Sequence, residues 1–172
     1  MCTILYVPRV WIVSSVAQLP NDPAIYAMYG GGERRWVAYV GMAGHVRQRV
    51  EQHLVLRDSS VATGTSTVGL NPDHVRAVEW WQHSLFSDKT DRAAAELVAF
   101  DVLEPALRSR GGINKLARER AGQPDFRAQM VALFKGPPTG RVLLPTFDEL
   151  VERIEELERR LESLESGADG PS

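Results

Sequence analysis

The chain has 172 residues, of which 44% are hydrophobic and 24% charged, and a formal net charge of −2. One ordinary domain with a small appendage fits that length, and the balanced composition excludes fibrous repeats and wholesale disorder. A single cysteine, Cys2, excludes an internal disulfide framework or a multi-cysteine zinc site, and the lack of any long apolar run points to a soluble cytoplasmic protein with no membrane partner.

Residues 1–20 read as an N-terminal extension. In it Val10–Val13 predicts a strand or a cover over the core, followed by a turn at Leu19-Pro20-Asn21-Asp22-Pro23. The core is expected over 21–116. Ala24–Tyr29 and Arg35–Val40 predict the two strands of a hairpin around the glycine-rich Gly30–Glu33. With a two-residue loop at Gly32-Glu33, Tyr26 falls directly opposite Tyr39. A slip of one residue makes the two diagonal neighbours, on one face in either case. Gly41 ends the second strand. His45–Leu54 then carries Val46, Val50 and Leu54 at helical spacing, which sets Arg49 and His53 side by side at i and i+4. Arg57–Pro72, rich in Ser, Thr and Gly, predicts a mobile surface loop.

Val75–Leu85 predicts a third strand. Asp91–Leu107 predicts a second helix with an apolar stripe of Ala93, Phe100, Leu103 and Leu107, stopped by Gly111-Gly112. Glu96 stands inside that stripe. A buried carboxylate is costly unless it is neutralised, salt-bridged or bound to a cation, so Glu96 is an ion-pair member, a partly exposed residue or a metal ligand. Residues 117–143 read as a connector broken by Gly136–Gly140.

Residues 144–166 read as an acidic amphipathic helix opened by a capping box at Thr146–Glu149, and 167–172 as a disordered tail. Phe147, Leu150, Ile154, Leu157, Leu161 and Leu164 follow one another at spacings of 3, 4, 3, 4 and 3. That seam of under three heptads is either a short coiled coil joining two copies as a homodimer or a helix laid on the body. From Leu144 onward there are 9 acidic and 3 basic residues; removed from totals of 22 and 20, they leave 13 acidic and 17 basic residues in 1–143. A mildly basic body permits phosphate contacts without requiring them.

Taken in order, these residues resemble the GIY-YIG nuclease superfamily over roughly 18–116. Ala24-Ile25-Tyr26 stands where the first signature tripeptide belongs, and Tyr39-Val40-Gly41 where the second does. Arg49 lies eight residues after Gly41 and His53 four later, on the first helix. Glu96 takes the position of the family's metal-binding glutamate, and Pro105 and Asn114 resemble the proline and asparagine that close the motif. Each piece is common by itself; the specificity lies in their ordered combination. Three departures stand out. Ala24 replaces a glycine, Met42 stands where repair-type members often carry lysine, and Asn114 lies farther from Glu96 than is usual.

The resemblance implies an α/β (α+β) fold with a small, mainly antiparallel three-stranded sheet flanked by helices. It implies a divalent-metal-dependent endonuclease that hydrolyses DNA phosphodiester bonds. Tyr26 would activate or orient the attacking water, with Tyr39 or His53 as a relay, and Arg49 would hold the scissile phosphate. Glu96 would bind one Mg2+ or Mn2+, with Asn114 in support. Arg34, Arg35, Arg47 and Arg57 are candidate contacts to the DNA backbone, and each taken singly is better read as a solvated surface charge. His45, His74 and His83 have no zinc spacing with cysteine, and Trp80-Trp81 reads as packing. Two other functions stay open: a catalytically weak or inactive nucleic-acid-binding or regulatory module, which Met42 and the modest charge favour, and a protein-interaction adaptor working through the C-terminal helix.

Overall fold

The computed structural model describes residues 13–31, 36–57, 70–107, 114–145 and 147–168. Four antiparallel strands form one sheet: β1 (Ala24–Gly30), β2 (Trp36–Ala43), β3 (Val75–Trp81) and β4 (Gly140–Leu143), in the spatial order β2-β1-β3-β4. Side chains alternate across it, as the period of two requires. Tyr26 and Met28 enter one core cluster, and Ile25 and Ala27 enter the other. The first cluster is completed by α1 (Val46–Leu54) through Val46, Val50 and Leu54, and by Val16 and Leu19. The second is covered by α2 (Lys89–Leu103), α3 (Lys115–Ala121) and α4 (Pro124–Lys135). A long helix, α5 (Phe147–Ala168), follows β4. Among the described residues no helix is long and apolar enough to cross a membrane.

Several expectations are corrected. The sheet has four strands rather than three, because the expected connector over 117–143 holds most of α3, all of α4 and β4. Ala117 and Ala121, then Phe126, Met130 and Phe134, recur at helical spacing and are buried. Pro124 opens α4 in its first turn, where a missing N–H costs nothing. Gly140, expected as part of a breaker, begins β4 opposite Trp80, whose indole occupies the space a side chain at 140 would take.

The second helix starts earlier and ends earlier than expected. Asp88 caps it, accepting from the Thr90 and Asp91 N–H groups at 2.7 and 2.9 Å. It stops at Leu103 because Glu104 precedes Pro105, which disfavours helical backbone, and turns left-handed at φ 48°. Its buried face is Ala94, Ala95, Val98, Ala99 and Phe100. Ala93 and Leu103 lie at the margin, and Leu107 packs with the opposite cluster. Residues 106–107 run beside β2, with the Ala106 and Leu107 N–H groups donating to Val37 and Ala38 at 2.9 Å each.

The third strand ends at Trp81, short of Leu85, and a single 3-10 turn, Ser84–Ser87, leads into α2. β2 runs on past Gly41 to Ala43. Residues 13–16 are helical rather than part of a strand, and Gly167 and Ala168 are still helical. Residues 10–12, Arg34, Arg35, residues 58–69 of the expected loop, Gly111-Gly112 and Thr146 lie outside the described residues.

Gly140→Val should displace the Trp80 indole and part β4 from β3. The expected cost is about 1–3 kcal/mol, the usual range for overpacking, read as a lower urea midpoint with an unchanged slope.

Candidate active site

A cluster of polar side chains forms where α1 meets the first hairpin. The observed register pairs Tyr26 with Gly41 and Met28 with Tyr39. The two tyrosines are therefore diagonal neighbours on one face, the slipped alternative of the sequence reading. A β-bulge sets this register: Met28 pairs with Tyr39 but Tyr29 with Val37, so Ala38 is an additional residue on β2.

Gly41 gives the phenols their space. A Cβ there would lie 2.6 Å from the Tyr26 hydroxyl oxygen and 2.8 Å from a Tyr39 ring carbon. The two tyrosine ring centroids are 6.1 Å apart, and the hydroxyls are hydrogen-bonded to each other. His53, carried on the buried side of α1 by the same phase that buries Val46, Val50 and Leu54, completes the group. Its Nε2 shares a 2.8 Å hydrogen bond with the Tyr26 hydroxyl, and its ring stands edge-on to Tyr39 at 5.4 Å. Tyr26 and His53 are fully buried, and Tyr39 nearly so.

Arg49 and Glu96 close the outer side, both half-buried. Arg49 Nη1 donates to Gln52 Oε1 at 3.1 Å. Glu96 comes from α2, on the opposite face of the sheet, and meets the cluster at the β2 edge, where the Met42 N–H donates to its carboxylate. On its helix Glu96 lies beside the buried stripe rather than inside it.

Burial dominates the electrostatics. It pushes Tyr26 well above the usual phenol range, and the neighbouring Tyr39 adds to the shift while Arg49 opposes it. Burial, with the Glu96 charge next, pushes Tyr39 up to about 12. His53 is held down to about 4 by burial and by the Arg49 guanidinium, so it is neutral at pH 7. Glu96 is pushed up to about 7 by burial, against the Met42 hydrogen bond and Arg49, which both favour its charge.

Tyr26, Tyr39, Arg49, His53 and Glu96 are thus brought together. Asn114 is exposed, and its side-chain oxygen accepts from the Leu116 N–H at 3.0 Å, capping α3. Arg47 Nε donates to the Leu19 carbonyl at 2.7 Å, tying α1 to the 19–21 turn. Arg57 forms an ion pair with Asp73. His45 precedes α1, bound through Nδ1 to the Asn21 carbonyl at 3.2 Å.

One contributor was not anticipated: the Met42 backbone, which matters as an N–H whatever its side chain. No family profile matches the chain, and neither a curated protein nor a solved structure matches it.

The shifts of Glu96 and His53 act on stability with opposite signs. Glu96, raised from 4.5 to about 7, contributes stability that is present below pH 4.5 and lost as pH rises through 7. His53, lowered from 6.5 to about 4, contributes stability that is present above pH 6.5 and lost as pH falls through 4. Urea midpoints of the parent chain should therefore vary little across the window that the two shifts share. Glu96→Gln should gain stability with rising pH there, and His53→Asn should lose it.

Proposed function

We propose that this site hydrolyses phosphodiester bonds in DNA as a metal-dependent endonuclease of GIY-YIG type. The observation that carries the reading is the meeting of two phenols, an imidazole, a guanidinium and a carboxylate from β1, β2, α1 and α2 at one edge of the sheet. Arg49, half-buried with a planar fork of donors, suits a phosphate oxygen. The neutral His53 offers a ring nitrogen to the Tyr26 hydroxyl, so a proton accepted by the phenol has an onward path. Tyr39, hydrogen-bonded to Tyr26, links that pair to the Arg49 and Glu96 side.

Glu96 fits a shared cation rather than one held by the protein alone. Mg2+ keeps several waters and commonly takes one carboxylate plus substrate phosphate. A carboxylate already desolvated, and oriented by the Met42 N–H, gains most from such a charge. Among the described residues no group of three or more His, Cys, Asp or Glu is gathered to hold an ion independently. When bound, Mg2+ or Mn2+ supplies charge neutralisation at the phosphate and the leaving oxygen. One site cuts one strand; two copies joined through α5 would bring two sites to one duplex.

A second reading keeps the DNA contact without the cutting. The complete burial of Tyr26 and His53 favours it, because sealed side chains serve packing as readily as proton transfer. Nicking of supercoiled plasmid in Mg2+ separates the two. The parent chain should yield open circles. Tyr26→Phe and Arg49→Ala should each fall by about 100-fold or more, and Glu96→Gln should lose its response to the metal. A parent chain that binds the plasmid but leaves it intact, with Glu96→Gln binding equally well, would establish the non-cutting module.

A further inference from the structure

We infer that α5 joins two copies of this chain as a parallel two-stranded coiled coil, with its direction set by arginines at g and glutamates at e. The helix of 22 residues is about 33 Å long, and its apolar seam is left increasingly bare along its length. Leu150, next to the body, is 7% exposed, whereas Ile154, Leu157, Leu161 and Leu164 are 37, 42, 59 and 71% exposed. A row of large aliphatic side chains on one stripe of an otherwise charged helix calls for a partner. The body leaves all but the first of them uncovered.

The heptad pattern identifies the partner. Phe147, Ile154 and Leu161 occupy a, and Leu150, Leu157 and Leu164 occupy d. Of the three a residues Ile154 is β-branched, and that choice, with Leu at each d, favours two strands. The g positions Arg153 and Arg160 and the e positions Glu158 and Glu165 are charged, and the first e position is Val151. In a parallel pair each g residue faces the e residue five positions on in the other chain. Arg153 then meets Glu158 of the second copy, and Arg160 meets its Glu165. In an antiparallel pair g faces g and e faces e, so arginine opposes arginine and glutamate opposes glutamate. The same four charges therefore favour self-association in one direction and penalise the other. The pairs that Glu156 makes with Arg159 and Arg160 within one helix are solvent-exposed and weak, so they do not hold Arg160 away from the interface. With fewer than three heptads the association should be reversible and concentration-dependent. The inference is independent of the chemistry at the candidate active site.

Sedimentation equilibrium of the full chain tests it. The apparent mass should climb from one chain towards two across the micromolar range. Leu157→Asp should stay at one chain with the near-UV spectrum and melting of the body unchanged. Arg153→Glu/Arg160→Glu and Glu158→Arg/Glu165→Arg should each remain monomeric alone and recover the dimer when mixed in equal amounts. For direction, the Cys2→Ser/Leu164→Cys chain should crosslink through residue 164 under mild oxidation. A parent chain that stays monomeric throughout overturns the inference, as does a dimer that survives Leu157→Asp. A dimer whose residue 164 does not crosslink overturns the parallel arrangement.

Discussion

The hydrogen bond between the Tyr26 hydroxyl and His53, roofed by Tyr39 and made possible by the bare Cα of Gly41, is the constraint around which the rest is arranged. Three rings share a volume that leaves no room for a Cβ at 41. That requirement reaches back into the hairpin, since Gly41 must lie opposite Tyr26, and the bulge at Ala38 sets that pairing. It reaches forward into α1, whose rotation must bury Val46, Val50, His53 and Leu54 together. A polar group with no access to water must be partnered, so the cost of breaking this bond exceeds the modest benefit of forming it. The same bond that orders the site therefore also locks the packing of α1 on the sheet.

The parts legible in the sequence were those with strong local signals. The hairpin, the helix after it and the Arg49–His53 spacing follow from alternation and from i, i+4 periodicity, and the structure has all three. The strand register was legible only to within one residue, because the bulge responds to packing across both faces and leaves no local mark. α3 was missed because Ala117 and Ala121 carry its buried face and do not stand out as an apolar stripe; α4 did carry a stripe, Phe126, Met130 and Phe134 at spacings of four, which the connector reading passed over. β4 was missed because a four-residue strand with one buried side chain, Val142, has too little pattern to show. Glu96 was found for a partly mistaken reason. The helix phase inferred from Ala93 and Leu103 was offset from the real buried face, so a residue at its margin read as central.

Few groups in the cluster are charged, and that follows from burial rather than from pairing. At neutral pH both phenols keep their protons, His53 is neutral and Glu96 is close to its midpoint. A site in that condition has little attraction for an isolated cation. A phosphate and a divalent ion arriving together would change this. The anion would pair with Arg49 and the cation would draw Glu96 to its charged form, each offsetting the desolvation of the other. The high resting phenol pKa values are then compatible with the proposed chemistry, because the positive potential that would lower them arrives with the substrate.

Why these groups meet at the rim of the sheet, rather than over its centre, follows from the layering. α1 covers one face and α2 the other, so side chains from both can touch only where the sheet ends, and β2 is the strand at that end. An edge strand presents backbone groups with no ladder partner, which is ordinarily a liability to be covered. Here the two stretches of the edge are used differently. The segment at 106–107 takes the Val37 and Ala38 carbonyls, and Glu96 takes the Met42 N–H between the two faces. Covering the edge and orienting the carboxylate are thus one structural act. The glutamate's position depends on a main-chain donor that any residue except proline would supply at 42, so the methionine there leaves the carboxylate's anchor intact.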